Sequence, residues 1–261
     1  MEKLTSVSNP KIKQLVLLQQ KSSERRTKNL FVVEGRRELM HCIGAGFRID
    51  SVFFLPGEAD GILEQLPKEC RLFEVSSEVY EKIAYREGTE GIIAEVECRS
   101  LSLGSLKLGK NPLVVVLESV EKPGNLGAVL RSADAAGADA VLVCDPLTDI
   151  YNPNLIRASI GAVFTVPTVC CSSEEAINYL KNNNIGIYTA QLQDSEWYYD
   201  TDLTKGSAIV MGTESTGLTD IWRKAADAHI RIPMLGRLDS LNVSVSAAIL
   251  LFEAVRQRKN G

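Results

Sequence analysis

Residues 114–137 read VVVLESVEKPGNLGAVLRSADAAG, and few architectures accommodate that stretch. Val114, Val115, Val116 and Leu117 form an unbroken, β-branched apolar run, the pattern of a strand covered on both faces. Pro123 and Gly124 break it, and Asn125 stands where a helix N-cap belongs. Leu126, Val129, Leu130, Ala133 and Ala136 then recur at helical spacing, and Gly137 ends the run as a left-handed C-terminal residue does. A buried strand, a polar loop and a helix in that order predict an open α/β sheet, whose ligands sit at the carboxyl ends of the strands. Asn125 and Arg131 are polar residues beyond what folding alone needs there.

The same strand and helix alternation runs along most of the 261 residues. Before residue 98 it predicts a helix after Asn9-Pro10 and a mobile basic loop over 19–29. Strands follow at 30–33, 51–55, 72–75 and 92–96, with helices at 36–43, 59–66 and 77–84, the last capped by Ser77. Residues 99–112 are rich in Ser, Gly and Lys and read as a linker. Gly104 to Lys110 matches a phosphate-loop pattern, but Asn111 replaces the magnesium-holding hydroxyl, and Pro112 with a strand replaces the helix, so that reading is rejected. Beyond residue 113 the expected strands are 140–143, 164–166, 185–190, 208–211 and 230–232. Helices are expected at 154–160, opened by Asn152-Pro153, and at 174–182, behind a Ser172 and Glu175 capping box. Two more are expected at 217–226 and 241–258. Strands separated by helices argue a mostly parallel sheet.

Composition narrows the classes. No apolar run approaches the roughly 20 residues that cross a bilayer, and the N-terminus has no signal-peptide core, so the cytoplasm is expected. Six cysteines occur without a C-x-x-C pair, which excludes common zinc and redox spacings and predicts reduced, mostly buried thiols and no metal. The net charge of −4 is uneven: residues 1–50 carry +5 and the remainder −9. Lys11, Lys13, Arg25, Arg26, Arg36 and Arg37 in that basic end are candidates for a polyanionic partner, with a solvated basic face as the alternative. No G-x-G-x-x-G fingerprint is present, so a conventional dinucleotide or methyl-donor Rossmann site is not expected.

Two later stretches repeat the strand and polar-loop design. Ile209 to Leu218 places Glu214 between Gly212 and Gly217, which fits backbone lying against a ligand or a plain turn before a helix. Ile232-Pro233-Met234 is followed by Ser240, Asn242, Ser244 and Ser246 at a helix start, where one cap needs one such residue. In the helix that follows, Val245, Ile249, Phe252 and Val255 share an apolar face suited to core or to a dimer contact.

Together, Pro123–Gly137, Met211–Leu218 and Ile232–Ser246 resemble the signature of the SpoU (TrmH-like) RNA ribose 2′-O-methyltransferases of the knotted SPOUT class. The basic first third resembles the ribosomal-protein-like substrate-binding domain of many members, through Phe31-Val32-Val33-Glu34-Gly35 and Thr89-Glu90-Gly91-Ile92. The resemblance implies an α/β fold with a C-terminal trefoil knot and a small N-terminal α/β domain, divided as residues 1–98, a linker at 99–112 and 113–261. It implies S-adenosylmethionine held mainly by backbone around Thr189, Ala190, Gln191, Gly212, Ile232 and Leu241. It implies a catalytic cluster of Asn125, Arg131, Glu214, Ser240 and Asn242, a homodimer, and RNA as substrate, ribosomal before transfer RNA. An inactive RNA-binding or assembly factor of the same fold is the alternative. A base methyltransferase of the class is disfavoured by the Asn125–Arg131 motif.

Overall fold

The computed structural model describes residues 2–59, 61–85, 90–213 and 216–260. The chain divides into two compact units, Met1–Arg99 with Asp149–Thr165, and Ser100–Thr148 with Val166–Gly261.

The first unit opens with β1 (Glu2–Leu4), α1 (Pro10–Gln20), α2 (Ser22–Lys28), β2 (Leu30–Glu34) and α3 (Arg36–Gly44). It continues with β3 (Ile49–Phe54), β4 (Arg71–Val75), α4 (Ser77–Ile83) and β5 (Ile92–Glu97). The strands lie in the order β1-β4-β3-β5-β2. β1 and β3 run parallel to β4, and β5 is antiparallel to both β3 and β2. Leu15 and Leu18 of α1 pack with Val32, Phe53, Phe73 and Ile93 in its core. α1 starts where Asn9-Pro10 directs: the Asn9 side chain accepts from the Lys11 N–H at 2.9 Å, and Pro10 takes the first helical position.

Three local expectations fail here. The stretch read as a mobile loop contains α2, closed by Asn29 in the left-handed conformation at φ 54°. Residues 59–66 yield one 3-10 turn, Leu63–Gln65, rather than a helix. The cap of α4 is Ser76, whose hydroxyl accepts from Val79 N–H at 3.3 Å, so Ser77 is the first helical residue.

From residue 113 the elements are β6 (Leu113–Glu118), α5 (Pro123–Ala136), β7 (Ala140–Cys144), α6 (Pro153–Ser159), α7 (Ala162–Thr165), β8 (Thr168–Cys171) and α8 (Ser173–Asn182). They are followed by β9 (Gly186–Ala190), β10 (Glu196–Trp197), β11 (Ser207–Met211), α9 (Asp220–Ala225), β12 (Ala228–Arg231) and α10 (Val243–Asn260). Seven strands make a wholly parallel sheet in the order β10-β12-β9-β11-β6-β7-β8. β6 sits inside it with every residue buried, as the β-branched run requires. α8 carries the capping box read from the sequence, with Ser172 and Glu175 bonding reciprocally. The 164–166 segment expected to be extended is in α7 and its exit, and the strand comes later, at β8.

The expected domain boundaries differ from this division in one place. Residues 149–165, including α6 and α7, cluster with the first unit. Tyr151 stacks on Phe31 at 4.2 Å between ring centroids, and Phe164 meets Phe31 and Phe47 at 5.8 and 5.3 Å. Aromatic partners so distant in sequence leave no local mark. The segment read as a linker is also not bare: Leu101, Leu103, Leu106 and Leu108 rest half-buried on the core of the second unit. None of the six cysteines is in a disulfide, but only Cys42 and Cys144 are fully buried, and Cys170 is exposed.

Candidate active site

β6 delivers the chain to Glu118, and Ser119 turns it with a φ of 52°. α5 then starts at Pro123 with Lys122 in the cap position, so Asn125 lies within the first turn rather than capping it. The missing Pro123 N–H makes that position the favoured first residue. Leu126, Val129, Leu130 and Ala133 turn inward, which leaves Arg131 on the solvent side. Gly137 closes the helix at φ 66°.

Asn242 precedes α10 and caps it: its Oδ1 accepts from Ser244 N–H at 2.9 Å and from the Ser244 hydroxyl at 2.6 Å. Its Nδ2 donates to Asn125 Oδ1 at 3.2 Å. Two asparagines 117 positions apart are thereby joined, because α10 packs against α5.

Between these motifs, β11 ends at Met211 and the chain folds back on itself. Gly217 N–H donates to Thr213 carbonyl at 3.0 Å, and Thr213 and Gly217 form an antiparallel bridge. A Cβ at position 212 would lie 2.3 Å from the Gly217 carbonyl oxygen, so only glycine fits. Gly217 itself has φ 67°. Glu214 lies outside the described residues, as does Thr89 of the N-terminal motif.

A cavity of about 360 Å³ lies at the carboxyl ends of β9, β11 and β12, bounded by Gly212, Thr213, Gly217 and the residues leading into α10. Ala190, Gln191, Gly212, Ile232 and Leu241 line it, and so does Ser240. Thr189 does not: its side chain is fully buried, and its hydroxyl pairs with His229 Nδ1 at 2.6 Å. Alternation along β9 sends Thr189 to the face opposite its neighbours. Asn125, Arg131 and Asn242 lie outside the lining, with Asn242 between the wall residues Leu241 and Val243. Sequence reading missed Leu218, Ile230, Leu250, Arg223 and Asp239, which also face the cavity. The first three read as ordinary core residues, and the two charged residues as solvated surface.

The basic candidates of the first unit separate into two kinds. Arg25 is buried, with Nε donating to Asp149 at 2.6 Å and Nη1 to the Leu18 carbonyl at 2.6 Å, so it holds structure and presents no surface charge. Lys11 pairs with Glu2 and lies over the Phe73 ring, Arg36 bonds the Glu58 carbonyl, and Arg37 pairs with Glu38. Lys13 and Arg26 stand exposed. Among the described residues no cluster of metal-ligating side chains occurs, and no helix is long and apolar enough to cross a membrane.

Residues 112–252 match the model of the SpoU rRNA methylase family. This chain belongs to that family. Residues 9–94 of this SpoU protein match an MRM3-like substrate-binding domain. A 23S rRNA (guanosine-2′-O-)-methyltransferase, RlmB of Bordetella pertussis, is 36% identical over 194 residues, 72% of this chain and 79% of the relative. The SpoU protein also superposes on the crystal structure of an RNA 2′-O ribose methyltransferase with a TM-score of 0.85. That match has 39% identity and covers 98% of this chain and 99% of the other. An AdoMet-bound rRNA methyltransferase from Sinorhizobium meliloti gives a TM-score of 0.90 at 28% identity, covering 98% and 97% of the two chains.

Proposed function

We propose that this SpoU protein transfers the methyl group of S-adenosylmethionine to a ribose 2′-hydroxyl of 23S ribosomal RNA. The observation that carries the reading is convergence: Asn125, the Gly212–Thr213 and Gly217–Leu218 segments and the residues from Ile232 to Asn242 meet beside one cavity. The names of its relatives supply the substrate class.

The cavity suits the methyl donor. Its volume falls within the range of small-molecule sites. Leu218, Ile230, Met234 and Leu241 offer apolar walls for a purine, while Arg223 and Asp239 offer charges for an amino-acid head group. Gln191 Oε1 is buried without a donor among the described residues, and a bound nucleoside carries hydroxyl and amino donors that could meet it. S-adenosylmethionine, when bound, supplies an electrophilic methyl group on a positively charged sulfur.

The protein's own part is to place and acidify the attacking hydroxyl. Alignment of the two reactants is worth roughly 7–11 kcal/mol when geometry is good. Arg131 is exposed, with no side-chain hydrogen bond or ion pair among the described residues, so its planar fork is available to a ribose oxygen and an adjacent phosphate. A guanidinium keeps its proton at neutral pH and does not act as a base, so the proton passes to water or to a phosphate oxygen. Asn125 and Asn242 fix the side of the site nearest α5, and Ser240 shapes the cavity rim. Glu214 is assigned to the reaction by its place in the sequence motif alone.

The reading includes a homodimer and the family's knot. Val245 and Phe252 of α10 are about half exposed, an apolar face that a second copy would cover. In support of the knot, β11 lies between β9 and β6 in the sheet and the C-terminal helix α10 packs on α5. Exposed Lys13 and Arg26 are the leading phosphate-binding side chains of the first unit.

The test is direct. Purified protein should melt at a higher temperature with S-adenosylmethionine present. Incubated with the donor and unmodified 23S RNA, it should make one linkage resistant to alkaline cleavage. Absence of both effects would overturn the proposal, and a melting shift without methylation would favour the inactive assembly factor.

A further inference from the structure

Glu118 is a buried carboxylate that no part of the reaction described above uses. It ends β6 with 3% of its surface exposed. One carboxylate oxygen accepts from Thr219 N–H at 2.8 Å, and the other from the Thr219 hydroxyl at 2.5 Å. The Ser173 hydroxyl oxygen lies 3.5 Å from that second oxygen. Having one proton, Ser173 gives it to Asp145 Oδ2 at 2.6 Å and in turn accepts from the Trp222 indole N–H at 2.9 Å.

The placement of these groups is informative. Thr219 immediately precedes α9, and its own side chain makes no capping bond to that helix. Leu218 and Gly217, the residues before it, line the cavity, as does Arg223 one turn into α9. Trp222, on the same helix, is fully buried and tied to Ser173 at the start of α8. α9 and the loop in front of it are therefore held from two sides, by a strand end and by a helix start. The strand end is the one that launches the Asn125 loop.

We propose that Glu118 is a positioning residue: its charge-assisted bonds to Thr219 set Gly217, Leu218 and α9 at the spacing that forms the cofactor wall. Charged acceptors make the stronger and shorter bonds, and a buried one left without donors is strongly unfavourable, so the loop has a single favoured position. This rests on the reading of the cavity as the S-adenosylmethionine site.

The experiment compares Glu118→Ala and Glu118→Gln with the wild type in full-length protein. Three quantities are measured: the dissociation constant for S-adenosylmethionine, KM and kcat for methylation, and the emission of Trp222 in a Trp197→Phe background. Glutamine keeps an acceptor for Thr219 N–H, and its amide can donate to the Thr219 hydroxyl, so it should bind the donor nearly as the wild type does. Alanine should weaken donor binding by about tenfold or more, with KM rising more than kcat falls, and should shift Trp222 emission to the red. If both variants bind like the wild type, Glu118 does not position the wall. If alanine only lowers the melting temperature while KM and emission stay unchanged, its role is general stability and the proposal fails. A wild type that does not bind S-adenosylmethionine would refute the reading of the cavity instead.

Discussion

Arg131 and Arg25 carry the same guanidinium and do opposite work. Arg25 is enclosed by Asp149 and two backbone carbonyls, so removing it would leave the half-buried Asp149 carboxylate and those carbonyls without their donor. Arg131 projects from α5 with its donors open. Lysine at 131 keeps the charge but not the fork. Arg131→Lys should therefore lower kcat by about 100-fold while RNA affinity changes little, as steady-state rates and filter binding would show. A variant that keeps its rate would dismiss the bidentate role. Glu95 makes a prediction about pH. Burial pushes its carboxyl above the ordinary range, opposed by the bond from Ser51 Oγ at 2.8 Å. A group whose pKa is raised by folding binds protons more readily when folded. Its contribution is thus most favourable below the unfolded value and declines as pH rises through the folded one. Glu95→Gln keeps an acceptor for Ser51 and removes the buried charge. It should raise the melting temperature at pH 8, and the gain should vanish near pH 4, about the unfolded value for glutamate.

At the scale of elements, α5 and α10 are joined beside the cavity because one asparagine serves both. Asn242 Oδ1 caps α10, and Nδ2 reaches Asn125. Asn242→Asp keeps the acceptor and loses the donor, whereas Asn242→Ala loses both. The aspartate variant should melt close to the wild type and the alanine variant should be less stable by about 1 kcal/mol, while both lose most methyl transfer. Equal activity in the aspartate variant would show that the Asn125 link is dispensable. The helix starts follow chemistry plain in the sequence: Asn9-Pro10, Asn152-Pro153 and Ser172 with Glu175 each open a helix as expected. Failures came where a residue's state depends on a distant partner. α2 is a polar segment anchored by Arg25, and its anchor lies 124 residues away.

For the molecule as a whole, the separation of charge and the uncovered face of α10 lead to two measurements. Phe252→Asp should shift the protein from dimer to monomer in sedimentation, with a large loss of methylation if the second copy completes the site. An unchanged mass would remove this face from the proposed dimer contact. Replacing both Lys13 and Arg26 with alanine should flatten the salt dependence of RNA binding, by a slope of roughly 0.7–0.9 for each phosphate no longer neutralised. A slope equal to the wild type would remove these residues from the RNA face.

The sequence by itself determined the α/β class, the buried central strand, the glycine that closes α5 and the motif loops of the SpoU family. Each of these rests on local chemistry: periodicity, a ring without an N–H, a residue without a Cβ. Only the tertiary structure decided that Asn125 bonds Asn242, that Thr189 faces away from the cavity its neighbours line, that Arg25 is interior and that residues 149–165 join the first unit. Those facts depend on which surfaces meet when strands far apart in the chain become neighbours in a sheet. A spacing pattern records the face a residue is on but not what that face will touch.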